Sequence, residues 1–398
     1  MNSRIGIACA GGGIEGAVYE IGALCALEEA IQGLDFNELH VYVGVSAGAL
    51  ICSSLVNRIT PRQMSLGILS HQEGVHPITP EVFYTPDLGE YFSKVTRIPA
   101  VLLEAIQEHI IHPGDISLSG SLSRLSKLLP VGIFTNEPLE EYVRTNLALN
   151  GRTNRFQELE TVLRIIATDL NSGQTVVFGK EPFADITISK AVQASSALPF
   201  VYTPVKIGER YYMDGVARRT VHASVALEEG ADLVICINPI VPYEAIENDF
   251  EIKDLIRKNL VDEGLPAVLS QTFRTMIHSR MGVGIKSYGF SYPGRDIVLI
   301  EPGKEDYRMF FTNIFSFNNR KEVCEYAYQT TRKQLLERAG ELEPILRKHG
   351  LTLRTNHLRD TGQTLYDTLE PGDSVIKRTL GKTLFELDQL LDRLDRAV

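Results

Sequence analysis

The pentapeptide Gly44-Val45-Ser46-Ala47-Gly48 is a G-x-S-x-G pattern, and its surroundings suit that pattern's chemistry. The β-branched run LHVYVGV ends at the serine, and the small-residue stretch SAGALICSSLVNRI begins there. That order predicts a strand, a sharp turn and a helix, the context of a nucleophile elbow. Small residues beside the serine allow the turn and expose its hydroxyl. The N–H groups at the start of the new helix face the charge that develops on attack. Ser46 is therefore the candidate nucleophile, with Gly44 and Gly48 shaping the elbow.

A serine hydroxyl needs a base. Nine histidines occur, and none is set apart: His349 and His357 come late but lie in charged segments, and His278 lies within an apparent helix. Asp214 is set apart, because YYMDGV places it at the end of a strand with Gly215 permitting a turn. Active sites of α/β proteins gather at such strand ends. An ordinary aspartate, with a pKa near 3.9, is a weak base for a hydroxyl, and desolvation would strengthen it. Taken alone, Asp-Gly is also a common turn dipeptide.

The block GGGIEG, Gly11 to Gly16, follows the apolar run IGIACA and has two readings. One is the G-x-G-x-x-G turn of a dinucleotide site. That site needs an acidic residue about 20 positions on, at the end of the second strand. Asp35 has the offset but precedes the second strand, whose end holds Ser46 instead. The other reading is an oxyanion cradle. Without Cβ atoms, Gly11, Gly12 and Gly13 let backbone N–H groups approach a tetrahedral oxyanion closely.

The elements that must position these groups alternate as strand, helix, strand, helix over the first 60 residues. VYEIGALCALEEAI carries apolar residues at Val18, Ile21, Leu24, Leu27 and Ile31, the spacing of an amphipathic helix. Residues 61–160 read as a helical insertion. Strands resume with TVLRIIATDL, GQTVVFG, ERYYMDGV and ADLVICINP, and the chain beyond 240 is mainly helical, with DIVLIEP as a further strand. The fold class is α/β: a three-layer sandwich with a mainly parallel central sheet flanked by helices. Residues 1–240 form the catalytic domain, and 241–398 a helical extension packed on it. Leu380, Leu384, Leu387, Leu391 and Leu394 form a short heptad seam, either packing on the core or offering a dimer contact.

The 398 residues carry a net charge of −10, which argues against nucleic acid as partner. Five cysteines, with no C-x-x-C pair and mostly in apolar runs, read as reduced buried thiols. No run nears the roughly 20 apolar residues of a membrane span, and the N-terminus lacks a leader's apolar region. A cytoplasmic protein with peripheral membrane contact is the expectation. RIPAVLLEAIQEHII (97–111) and LPAVLSQTFRTMIHSRMGVGIKSYGF (265–290) are the candidates for an acyl channel or an interfacial surface.

In order, GGGIEG, GVSAG, ASSALPFVYTPV (194–205) and the Asp214-Gly215 pair resemble the patatin-like phospholipases. That family shows an early G-G-G-x-[K/R]-G block, a G-x-S-x-G elbow and a distant Asp-Gly. The resemblance spans roughly residues 4–240. It implies a Ser–Asp dyad without histidine, with Ser46 as nucleophile, Asp214 as base and Gly11 to Gly13 as oxyanion hole. It further implies cleavage of fatty acyl esters of phospholipids or related lipids through an acyl-enzyme, with no metal or cofactor. Two positions depart from the family. Glu15 stands where a basic residue is usual, which removes a phosphate partner and brings a negative charge near the cradle. Val216 follows Asp-Gly where a smaller residue is usual. A Ser-His-Asp carboxylesterase and a catalytically weak lipid-binding or scaffold protein of the same fold remain as alternatives.

Overall fold

The structure, a computed structural model, describes residues 3–69, 78–94, 96, 130–149, 151–219, 221–240, 291–303 and 319–369, with single positions at 261, 268, 271, 272, 275 and 288. Segment 97–111, most of 265–290 and the leucine seam lie outside the described residues.

Strand β1 (Ile5–Cys9) leads into helix α1 (Gly13–Ala30), the short β2 (Ile31–Gln32), β3 (Val41–Val45), α2 (Ala47–Val56) and α3 (Pro61–Leu69). Then come β4 (Thr85–Pro86), β5 (Gly132–Thr135), α4 (Glu137–Leu147), β6 (Val162–Asp169), β7 (Thr175–Phe178) and α5 (Ile188–Ser195). Strands β8 (Phe200–Tyr202), β9 (Val205–Ile207) and β10 (Arg210–Asp214) precede α6 (Ala223–Glu228), β11 (Leu233–Ile237) and β12 (Asp296–Ile300). The described chain ends with α7 (Arg320–Glu337), α8 (Ala339–Lys348), β13 (Thr352–Leu353) and two short helices.

The central sheet has the order β12-β11-β1-β3-β6-β10-β9, with β7 also on β6. From β12 to β6 all pairings are parallel, whereas β7, β9 and β10 pair antiparallel. Successive residues of the inner strands face opposite layers. Ile7 and Cys9 of β1 join one apolar cluster with α1, α2 and α7, and Ala8 and Ala10 join the other with α6. Both faces being covered, these strands read as continuous apolar runs. This is the three-layer α/β architecture expected. Residues beyond 240 contribute to it directly, since β12 extends the same sheet.

Helix α1 departs from the amphipathic reading. It is buried on nearly every side, because α7 lies across the face that would otherwise meet water. A Cβ at Gly22 would stand 2.2 Å from the Cys324 carbonyl oxygen, so only glycine admits α7 this closely. The insertion also holds more than helix: β4 and β5 join β8 in a separate three-stranded sheet. Their two to four residues carry no readable alternation; β4 is held by β5, Thr85 opposite Thr135, and β5 by β8, Gly132 opposite Phe200.

One feature of the registers positions the site. Strand β3 pairs parallel to β6 and stops at Val45 opposite Ile166. Strand β10 pairs antiparallel to β6 and stops at Asp214 opposite Ala167. Strand β7 occupies Ile165 to Thr168, so β3 and β10 share the other edge of β6. They run toward each other along that edge, and their carboxyl ends meet head-on. The residues that follow or close these strands, Ser46 and Asp214, are thereby brought together.

Candidate active site

Ser46 lies between the last residue of β3 and the first of α2, with φ 53° and ψ −118°. That left-handed φ is costly for a residue with a Cβ. The turn survives because its neighbours leave no alternative. A Cβ on Gly44 would come within 2.4 Å of the Gly48 carbonyl oxygen, and one on Gly48 within 2.3 Å of the Cys9 carbonyl oxygen. Gly48 also donates its N–H to the Ala10 carbonyl at 2.9 Å, tying the elbow to the end of β1. Both glycines of the pattern are therefore required by close backbone approach.

A residue that the sequence reading did not single out braces this turn. The Ser195 hydroxyl accepts the Ser46 N–H at 2.8 Å and donates to the Ile166 carbonyl at 2.6 Å. It thereby joins α5, the elbow and β6 where β3 gives way to β10. The signal was present in ASSALPFVYTPV, but a serine among small residues carries no sign of its partner.

Asp214 is buried (2% exposed). Val216 N–H donates to Oδ1 at 2.9 Å, and the Ser46 side chain faces the carboxylate and favours its charged form. Burial outweighs both and pushes the carboxyl up to about 7. Its backbone is fixed by the Asp214 N–H to Ala197 carbonyl bond, 2.9 Å. Gly215 is obligatory, since a Cβ there would meet the Ile166 carbonyl oxygen at 2.6 Å. Val216 packs beside Gly11, where a Cβ would sit 2.7 Å from its Cγ2. The larger residue after Asp-Gly is thus accommodated by the glycine opposite.

Gly11 also abuts the nucleophile candidate: a Cβ there would lie 3.1 Å from Ser46 Cβ. Gly12 caps α1, and Gly13 opens it at φ 63°. The N–H groups of Gly11, Gly12, Gly13 and Ala47 donate to no carbonyl or side chain among the described residues. Glu15 is buried in the first turn of α1; burial first, and then the Glu15 charge, raise the Tyr84 phenol. It is not among the groups that set Asp214, which are burial, Ser46 and Val216. One turn on, Glu20 is fully buried, and desolvation pushes it well above the usual carboxylate range.

Among the described residues no histidine hydrogen-bonds to Ser46 or Asp214. His222, close in sequence, is buried and held down to about 4 by desolvation and then by Arg219. A serine, a histidine and an aspartate do meet elsewhere. Ser3 Oγ shares a 2.5 Å hydrogen bond with His349 Nδ1, and His349 Nε2 lies 2.7 Å from Asp296 Oδ2. Ser3 precedes β1 and Asp296 opens β12, so this cluster occupies the amino ends of the parallel strands, opposite Ser46.

The chain matches the patatin-like phospholipases over residues 7–227, which take in every motif described above. A probable lipid hydrolase, 463L, of Invertebrate iridescent virus 6 is 20% identical over 210 residues, 51% of this chain and 57% of that protein. Among solved structures, VipD from Legionella pneumophila aligns with a TM-score of 0.37 and 15% identity, over 84% of this chain and 66% of VipD. The type III effector ExoU aligns with a TM-score of 0.35 and 16% identity, over 85% of this chain and 53% of ExoU. The chain thus spans between about half and two thirds of the length of these relatives. With a match that covers more than half of its residues, this chain belongs to the patatin-like phospholipase family.

Proposed function

We propose that this protein is a serine lipid acyl hydrolase that works through a Ser46–Asp214 dyad. The observation that carries the reading is the Ser46 side chain set against a buried carboxylate raised to about 7. Ser46 Oγ attacks the ester carbonyl while Asp214 takes its proton. The N–H groups of Gly11, Gly12, Gly13 and Ala47 then receive the oxyanion, a reading supported by their lack of any other acceptor among the described residues. Asp214 then returns the proton to the departing alcohol, leaving an acyl-enzyme on Ser46. It next takes a proton from water, which attacks the acyl carbonyl, and passes that proton to Ser46 Oγ as the fatty acid is released. A base near 7 suits this traffic, because it can both accept and return the proton at neutral pH.

Lipid access has its own support. No described helix is long and apolar enough to cross a membrane. Leu88, Phe92, Val131, Ile133 and Phe200 are, however, exposed apolar residues around the β4-β5-β8 sheet. Phe200 holds φ 70° while 62% exposed, three residues from the carbonyl that fixes Asp214. An exposed apolar patch beside a lipid site suits peripheral contact with a bilayer. Ser46→Ala protein should co-float with phosphatidylcholine vesicles, and adding Leu88→Ser and Phe200→Ser should abolish this; unchanged flotation would refute the assignment.

The test of the function is product analysis by mass spectrometry after incubation with mixed membrane lipids. Wild-type protein should release free fatty acids and lyso-lipids, and Ser46→Ala protein should release neither. Equal release by both proteins would overturn the proposal.

A further inference from the structure

The turn after Asp214 carries two arginines and a histidine that the dyad does not use. From Gly215 to Leu227 the chain holds no acidic residue, while Arg218, Arg219 and His222 stand close together in it. This turn lies at the rim of the site. The backbone N–H groups of Arg218 and Arg219 donate to the Gly215 carbonyl at 3.1 and 3.4 Å, and Val216 packs against Gly11 beside Ser46.

Both arginines are exposed. Arg219 Nη1 donates to the Tyr288 hydroxyl at 3.3 Å, and neither guanidinium has a carboxylate partner among the described residues. The first acid after Asp214 is Glu228, at the far end of α6, and it accepts the Tyr292 hydroxyl at 3.3 Å. Adjacent like charges repel, and a bound anion relieves that repulsion. His222, just before α6, is 4% exposed, and its Nε2 has no hydrogen-bond partner among the described residues. Buried ring nitrogens are nearly always hydrogen-bonded, and this one is available to a ligand. Burial first, then the Arg219 charge and more weakly the Arg218 charge hold the imidazole down, so both guanidiniums act on the ring from the same turn.

This set of groups suits a tetrahedral oxyanion. A guanidinium offers planar pairs of N–H donors to two oxygens, and the Nε2–H tautomer of His222 adds a further donor. Two fixed positive charges match a dianionic phosphate monoester. Choline and ethanolamine phosphodiesters match them poorly, because each carries a cation of its own toward the arginines. Position 15, where the family's glycine block has a basic residue, holds Glu15, so phosphate recognition falls to other side chains at the rim.

We infer that Arg218, Arg219 and His222 bind the phosphate of a phosphate monoester, and that Ser46 therefore favours lipids that end in phosphate, the phosphatidate class. The inference rests on the hydrolase reading above and adds a head group to it. The short step along the chain from Asp214 to Arg218 suits the short glycerol unit that separates ester from phosphate in such lipids.

The test has two arms. In the first, dioleoyl phosphatidate and dioleoyl phosphatidylcholine are presented at equal mole fraction in mixed detergent micelles, and kcat/KM is measured for each. Wild-type protein should favour phosphatidate by about tenfold, and the Arg218→Gln, Arg219→Gln double variant should lose that preference through KM rather than kcat. Circular dichroism checks that the variant is folded. An equal or reversed preference in the wild type, or an unmoved preference in the folded variant, would overturn the inference. In the second arm, dibutyryl phosphatidate and glycerol phosphate are titrated calorimetrically into Ser46→Ala protein and into its His222→Phe derivative. Dibutyryl phosphatidate should bind the first and lose about tenfold in affinity for the second. Equal affinity for both would overturn the inference. Glycerol phosphate binding as tightly as dibutyryl phosphatidate would uphold the phosphate site and overturn its assignment to a lipid. Binding of dibutyryl phosphatidate, with no hydrolysis of either lipid by the wild-type protein, would refute the hydrolase reading while upholding the phosphate site.

Discussion

Replacing Asp214 by asparagine separates the ionisation of this carboxyl from everything else it does. Its pKa is raised from 3.8 to about 7 by burial. Each pKa unit corresponds to about 1.4 kcal/mol, so the charged carboxylate costs the fold about 4 kcal/mol. Below pH 4 the carboxyl is protonated in both folded and unfolded chains and contributes nothing to the difference. Between pH 4 and 7 the unfolded chain ionises first, the folded chain holds more protons, and stability falls as pH rises. Above pH 7 the whole cost is present. Asparagine has no such dependence. It keeps an oxygen for the Val216 N–H and turns an amide group, instead of an acceptor, toward the Ser46 side chain, a loss of about 1–2 kcal/mol. Asp214→Asn should therefore be about 1–2 kcal/mol less stable than wild type at pH 4 and about 2 kcal/mol more stable at pH 8. Urea denaturation of both proteins at pH 4, 5, 6, 7 and 8 measures this, and taking the difference at each pH cancels other titrating groups. A difference flat with pH, or a less stable variant at pH 8, would refute the reasoning.

Three further outcomes follow from the elbow. At position 46, glycine should be more stable than alanine by about 1 kcal/mol in thermal denaturation, because φ 53° strains any residue with a Cβ. Gly48→Ala should cost about 3 kcal/mol or prevent soluble expression, since its Cβ would meet the Cys9 carbonyl at 2.3 Å. Ser195→Ala should cost about 1–3 kcal/mol by stranding the Ser46 N–H and the Ile166 carbonyl, and should lower kcat more than it changes KM. An unchanged urea midpoint would show that water replaces the hydroxyl.

The inner half of the fold was legible because its signals are local. Ile5–Cys9 and Val41–Val45 are apolar runs ended by glycines, and buried parallel strands look like that. GVSAG carried its own turn, with each glycine's reason found within a few residues or in the adjacent strand. What stayed hidden was non-local. That β10 meets β3 head-on depends on the register of β6, which no pattern in YYMDGV encodes. Ser195 acts through partners 149 and 29 positions away. The stripe on α1 read as amphipathic because hydropathy cannot announce that α7, some 300 residues later, covers the outer face. Glu20 is the sharpest case: a carboxylic acid in a helix reads as solvated, and here it is fully buried.

The central claim is that Ser46 is a nucleophile activated by Asp214 without a histidine. It is tested most directly by the rate of covalent labelling with a fluorophosphonate, read by intact mass and peptide mapping. Wild-type protein should take up one adduct, on Ser46, with a rate that rises through pH 7 as Asp214 ionises, and Asp214→Asn should label at least a hundredfold more slowly. Labelling at another serine, or an Asp214→Asn rate equal to wild type, would contradict the account.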